Sequence, residues 1–186
     1  SYWLSSATPH QQLCAMASAM RASRLDRAQF RIPVSGPLVY QKKALPVDPY
    51  IFGFWVGNGC STKPEVTVCR LDVDDFRKNN RYPVTNHYQQ AGESDIFRIP
   101  ALRPILVGHY SEKRITEQYL QSSIADRWDL LAGLMDSDGH INEAGQAIFS
   151  SSVKAVADGF MELARSLGIK TTVNIAQTDR YGKPNQ

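Results

Sequence analysis

Val153, Val156, Phe160, Leu163 and Leu167 recur every three or four residues, the period of one face of an α-helix. Ser151 or Ser152 is placed to cap that helix and Gly168 to close it. A second long helix is predicted over Ile124–Asp138, with Trp128, Leu131, Leu134 and Met135 on its apolar side. A third should begin at Asp48-Pro49, an N-cap followed by proline at the first helical position, and run to Gly59. Alternation in Val66-Thr67-Val68-Cys69-Arg70-Leu71 predicts a strand. Asp74–Lys78 reads as a short helix, and Asp95–Val107 as an extended stretch broken by Pro100 and Pro104. His140–Ser150 reads as a hairpin turning at Asn142-Glu143-Ala144-Gly145, and Lys170–Gln177 as a further strand. Ahead of these, Gln11–Arg24 reads as a helix and Arg31–Leu38 as an extended stretch with two prolines.

Within two of the helices lies a repeat. Ile51-Phe52-Gly53-Phe54-Trp55-Val56-Gly57-Asn58-Gly59 and Leu131-Ala132-Gly133-Leu134-Met135-Asp136-Ser137-Asp138-Gly139 are imperfect copies of one nine-residue pattern. Gly53 and Gly57 are four apart and share a helix face, as do Gly133 and Ser137. Small residues at this spacing let two helix backbones approach closely. If the two faces pack together, Asn58 and Asp138 meet near a pseudo-two-fold axis. Acidic groups there would bind a divalent cation through oxygen, and a cation so held could activate water at a phosphodiester. A calcium loop of the EF-hand kind fails for Asp136–Gly139, because its first ligand would fall on Leu134 and its last on Gly145.

Charge and composition narrow the classes. With 42% hydrophobic and 21% charged residues the chain is globular, and 186 residues suffice for one sizeable core or two small ones. Residues 1–49 balance at +4 (Arg21, Arg24, Arg27, Arg31, Lys42 and Lys43 against Asp26 and Asp48), while residues 125–186 balance at −2. A basic arm beside a compact domain fits phosphate contact, and a solvated helix face fits equally. Cys14, Cys60 and Cys69 form no CxxC pair, which favours a reducing, cytoplasmic setting. No signal peptide is legible at the start, and no apolar run is long enough to span a bilayer, so no membrane association is expected.

The second copy, LAGLMDSDG, closely resembles the signature of LAGLIDADG homing endonucleases. Its context, FRIPVSGPL, LPVDPYIFGFWVGNG and EKRITEQYLQSSIADRWDLLAGLMDSDG, is similar to the double-motif endonuclease domain of an intein, over roughly residues 30–175. The resemblance implies an α+β fold: a pseudo-two-fold pair of αββαββα halves, with antiparallel sheets forming a saddle over DNA and two packed motif helices. The expected division is a basic arm at 1–45, a first half at 46–124 and a second half at 125–186, the second incomplete at its end. The resemblance further implies Mg²⁺, or Mn²⁺ or Ca²⁺ in its place, at the acidic positions. These fall on Asn58 and Asp138, each preceded by its small neighbour, Gly57 and Ser137. It also implies a lysine that assists the attacking water or the transition state, which falls on Lys113 in Lys113-Arg114-Ile115-Thr116, with threonine where the family has proline. Gly53, Gly57, Gly133 and Ser137 would form the helix interface. Lys63, Arg70, Lys170, Arg180 and Lys183 are the candidates for DNA contact, and His140, next to the second motif, for a place near the metal.

Asn58 is the main departure, since an amide is a neutral and weaker ligand than a carboxylate. The expectation is a monomeric, site-specific endonuclease of double-stranded DNA, impaired at one acidic position and derived from a larger intein or host precursor. The start lacks a splice block and the chain ends Pro184-Asn185-Gln186, so self-splicing is not expected. The competing expectations are a DNA-binding module on the same scaffold that does not cut, and a structural insert without DNA affinity.

Overall fold

The computed structural model describes residues 36–89 and 92–175. The expected helix over Gln11–Arg24 and the basic residues ahead of Gly36 lie outside them, as do Arg180 and Lys183. The described residues belong to one compact unit. The order of helices and strands is α1 (Pro49–Asn58), β1 (Glu65–Cys69), α2 (Val73–Asn79), β2 (Asn86–Gln89), β3 (Ser94–Arg98), α3 (Glu117–Leu120), α4 (Ile124–Asp138), β4 (Gly139–Ile141), β5 (Ala147–Phe149) and α5 (Lys154–Ser166). Three 3₁₀ turns, Arg70–Asp72, Pro100–Ile105 and Tyr110–Glu112, lie between them.

The architecture is α+β, with small antiparallel sheets and packed helices, compatible with a homing-endonuclease-like fold. One sheet has the order β1-β3-β2, pairing Val66 with Phe97 and His87 with Phe97 across the central strand. The other is the β4-β5 hairpin, pairing His140 with Ile148.

α1 is the centre of the core. Its first eight residues, Pro49 to Val56, are all buried, which suits a helix that is apolar on every side. Phe54 meets Phe76 of α2 at 4.8 Å between ring centres, Phe76 meets Phe97 of β3 at 5.2 Å, and Phe52 stacks on Tyr119 of α3 at 3.8 Å. These tilted and stacked pairs join the helices to one another and to the sheet through specific ring contacts.

The start of α1 follows its sequence signal. Asp48 Oδ1 accepts from the amides of Tyr50 (3.1 Å) and Ile51 (3.4 Å), and Oδ2 from Arg81 (3.1 Å). Asp48→Ala should therefore cost about 1–2 kcal/mol in urea unfolding, with Asp48→Asn recovering most of it. Equal stability of the alanine variant and the parent would mean that the cap carries nothing.

Several expectations are corrected. The stretch after β3 is not extended: Pro100 opens a 3₁₀ turn, where its missing N–H costs nothing, and Leu102 N donates to Ile99 O. No strand forms over residues 170–175, and among the described residues no strand pairs with them; the rest of that expected strand lies outside the described residues. Trp128 is 46% exposed, and the position beside it, Arg127, is buried on the inward face of α4 instead. Val153 holds the N-cap position of α5 without a side-chain cap, while Ser151 Oγ accepts from its amide. Among the described residues the first motif is followed by three strands and the second by two, rather than four each.

Candidate functional site

Contact between α1 and α4 is backbone to backbone. A Cβ on Gly133 would fall on Tyr50 O, 2.8 Å from Tyr50 C and 2.9 Å from Phe54 N. One on Gly53 would fall on Leu130 O and 2.9 Å from Leu134 N. One on Gly57 would fall on Ser137 Oγ and 3.1 Å from Asp138 Cγ. The helices thus touch along their length, and both end at the same place.

There the two polar motif residues adjoin. Asn58 Nδ2 donates to Ser137 O at 3.1 Å, and the Asp138 carboxyl lies against Gly57. Farther along the interface, the Tyr50 hydroxyl donates to Asp136 Oδ2 at 3.0 Å. The glycines that end the motifs, Gly59 (φ −86°) and Gly139 (φ −94°), are extended and need no left-handed backbone. Gly59 is required for room: a Cβ there would run into the Trp55 indole.

Lys113 lies at the same end and is 5% exposed. Its ammonium donates to Trp55 O (2.8 Å), Val56 O (3.1 Å) and Gly59 O (2.6 Å), and sits 4.7 Å from the centre of the Trp55 ring. Burial pulls its pKa down to about 8, against the attraction of Asp138 and Cys60. Burial likewise raises the Asp138 carboxyl above the usual carboxylate range, and the Lys113 charge opposes that rise. A cleft of about 380 Å³ opens here, lined by Gly57, Lys113, Asp138, Tyr110 and the serines 150 to 152 that lead into α5.

The donor set suits one hard cation rather than two. Asp138 supplies an anionic oxygen, and Asn58 still has its Oδ1 after its Nδ2 is used. Mg²⁺ is commonly held by one or two carboxylates together with waters and substrate phosphates. Among the described residues no three His, Cys, Asp or Glu side chains gather as a metal cluster.

The DNA-contact candidates are scattered. Lys63 is exposed in the turn before β1, and Lys170 is exposed after α5. Arg70 is engaged through Nε with the buried Asp95 carboxylate at 3.0 Å, and His87 Nε2 lies 2.9 Å from the other oxygen. These two partners, His87 foremost, hold the Asp95 carboxyl below its usual range. His140 is exposed at the start of β4. The Asp95–His87–Arg70 cluster escaped the sequence, because the pairing of β2 and β3 and the turn after β1 bring its members together from 8 and 25 positions away.

Comparison with known proteins bears on the same region. A family model described as homing endonuclease matches residues 114–185. That segment contains α4 with Asp138 and stops short of the first motif. The match supports a homing endonuclease. The chain is also 28% identical to a replicative DNA helicase DnaB of Mycobacterium intracellulare over 156 residues, which are 83% of this chain and 25% of the helicase. It is 34% identical to the catalytic polypeptide of a V-type proton ATPase of Candida tropicalis over 70 residues, 36% of this chain and 6% of that polypeptide. The chain therefore spans a quarter or less of the relatives it matches. Among the described residues no helix is long and apolar enough to cross a membrane.

Proposed function

We propose that this chain is a LAGLIDADG-type homing endonuclease acting on double-stranded DNA, with its first acidic position weakened by Asn58. The observation that carries the reading is the α1–α4 contact, which brings Asn58 and Asp138 together at one end of the helix pair. Asp138 would hold one Mg²⁺, with Asn58 Oδ1 as a weaker neutral ligand and the rest of the shell from water and DNA phosphate. Such a cation supplies Lewis-acid stabilisation at the phosphodiester. Lys63 and Lys170 would meet backbone phosphates outside the site, a contribution that weakens with added salt.

An intein origin gives the two relatives a common explanation. A helicase and a component of a proton pump have unrelated tasks, yet this chain matches a limited part of each. An inserted element carried by different hosts leaves that pattern.

The test is cleavage of a supercoiled plasmid carrying the uninterrupted host-gene site, with Mg²⁺, by the parent and by Asn58→Asp. The parent should give nicked product or none. The variant should give linear product at least about a hundredfold faster, the scale of one recovered charge-stabilising ligand. Equal production of linear DNA by both would sink the assignment of residue 58.

A second reading is a DNA-binding module that does not cut. The hydrogen bond from Asn58 to Ser137 O favours it, because the amide is then part of the resting structure. Salt-dependent binding without cleavage by either protein would establish that reading.

A further inference from the structure

We infer that Lys113 is a positioning residue: its ammonium fastens the C-terminal end of α1 and so sets Gly57 and Asn58 against Ser137 and Asp138. The effect on cleavage rests on the proposed endonuclease reading, whereas the fastening itself does not.

The last carbonyls of an α-helix have no partner within the helix and carry its negative dipole end. α1 has no basic residue in its own last turn. Lys113, 54 positions beyond Gly59 in sequence, supplies the missing charge: Trp55 O, Val56 O and Gly59 O all accept from its Nζ. Trp55 O also accepts from the Gly59 amide at 2.9 Å, so that carbonyl holds two donors. The indole of the same tryptophan donates from Nε1 to Cys60 O at 2.9 Å, and the ammonium lies over its ring. The turn leaving α1 is thus held from two sides.

An ammonium has three protons, and here three carbonyls take them. It cannot also donate to a phosphate without releasing a helix carbonyl, and as an ammonium it has no lone pair with which to take a proton from water. Asp138 is attracted to it, but the two form no contact ion pair. Lys113 therefore acts on the site through the backbone: if α1's last turn loosens, Gly57 moves off the Asp138 carboxyl and Asn58 leaves Ser137 O. α4 likewise has no basic side chain in its last turn, and there the neutral Asn58 amide donates to Ser137 O instead.

The first test needs no cleavage. In the parent protein, NMR of the Lys113 ammonium at neutral pH should give a slowly exchanging ¹⁵Nζ signal with couplings across hydrogen bonds to the three carbonyls. Fast exchange and absent couplings would overturn the proposal. In a folded Lys113→Gln protein, the Asn58 side-chain amide should exchange at least about tenfold faster, with amides in α5 unchanged. Unchanged Asn58 exchange would also overturn it, and if that variant does not fold, the parent spectrum decides.

In the Asn58→Asp background, Lys113→Gln should slow cleavage without changing the shape of the pH–rate profile. Loss of a limb near pH 8, where Lys113 ionises, would mean that Lys113 exchanges a proton in the reaction, and positioning would be the wrong role. No cleavage by Asn58→Asp alone would count against the endonuclease reading and leave the spectroscopic test of the brace intact.

Discussion

Gly133→Ala is expected to unfold the chain or to lower its melting temperature by roughly 6–12 °C, a loss of about 3 kcal/mol or more. Alanine is ordinarily the better helix former by about 1 kcal/mol, so propensity alone gives the opposite sign. Sterics decide. The new methyl would fall on Tyr50 O and within 3 Å of Tyr50 C and Phe54 N. All three are backbone atoms of α1 and its first turn, so no rotamer change relieves the overlap. The helices must separate, and α1 is the element around which the core is packed. Circular-dichroism melting measures the effect, and Ala132→Ser, one residue away on the exposed side of α4, is the control. A Gly133→Ala protein as stable as its parent would mean that α1 and α4 do not touch along this line.

Arg127→Met should cost about 3 kcal/mol or more, although methionine keeps much of the volume. The guanidinium is fully buried and, among the described residues, forms no ion pair with a carboxylate. Its Nε donates to Ser122 O (3.1 Å), Nη1 to Ser166 O (2.9 Å) and Ser166 Oγ (2.6 Å), and Nη2 to Leu38 O. It also lies over the Tyr40 ring at 5.0 Å. One side chain therefore ties the segment at 38–40 to the start of α4 and the end of α5. Methionine would leave the buried Ser122 carbonyl without this donor, at about 1–3 kcal/mol, and would also break the charged hydrogen bonds to Leu38 O and Ser166. Lysine should not rescue, since an ammonium lacks the planar fork that reaches separate acceptors. Urea unfolding gives the cost, and exchange of the Leu38 amide, which donates to Ser166 O at 2.8 Å, shows where the structure opens. A cost below about 1 kcal/mol would make the tie dispensable.

Elements whose signals are local were legible in the sequence. Asp48-Pro49 marked the start of α1, the Asn142–Gly145 turn marked the β4-β5 hairpin, and the apolar spacing from Val153 to Leu167 marked α5. What failed depended on partners distant in sequence. Trp128 was placed on the apolar side of its helix, yet Arg127 beside it is the buried residue, held in part by carbonyls 39 and 89 positions away. Lys113 gave no local sign of burial either, because its acceptors lie 54 to 58 residues earlier. At the site, the repeat singled out Asn58 and Asp138, but not that the Asn58 amide is already bonded to Ser137 O.

That hydrogen bond makes residue 58 a choice between two kinds of stability. An aspartate at residue 58 has no proton to offer Ser137 O, and would put a second carboxylate beside Asp138 across Gly57. Such a pair is at ease only with a cation between its members. Asparagine replaces that repulsion with a bond that holds in the empty protein. Asn58→Asp should therefore lower stability when no divalent cation is present and regain it when one is added. Residue 58 thus sets whether part of the folding free energy is tied to a cation or is independent of one.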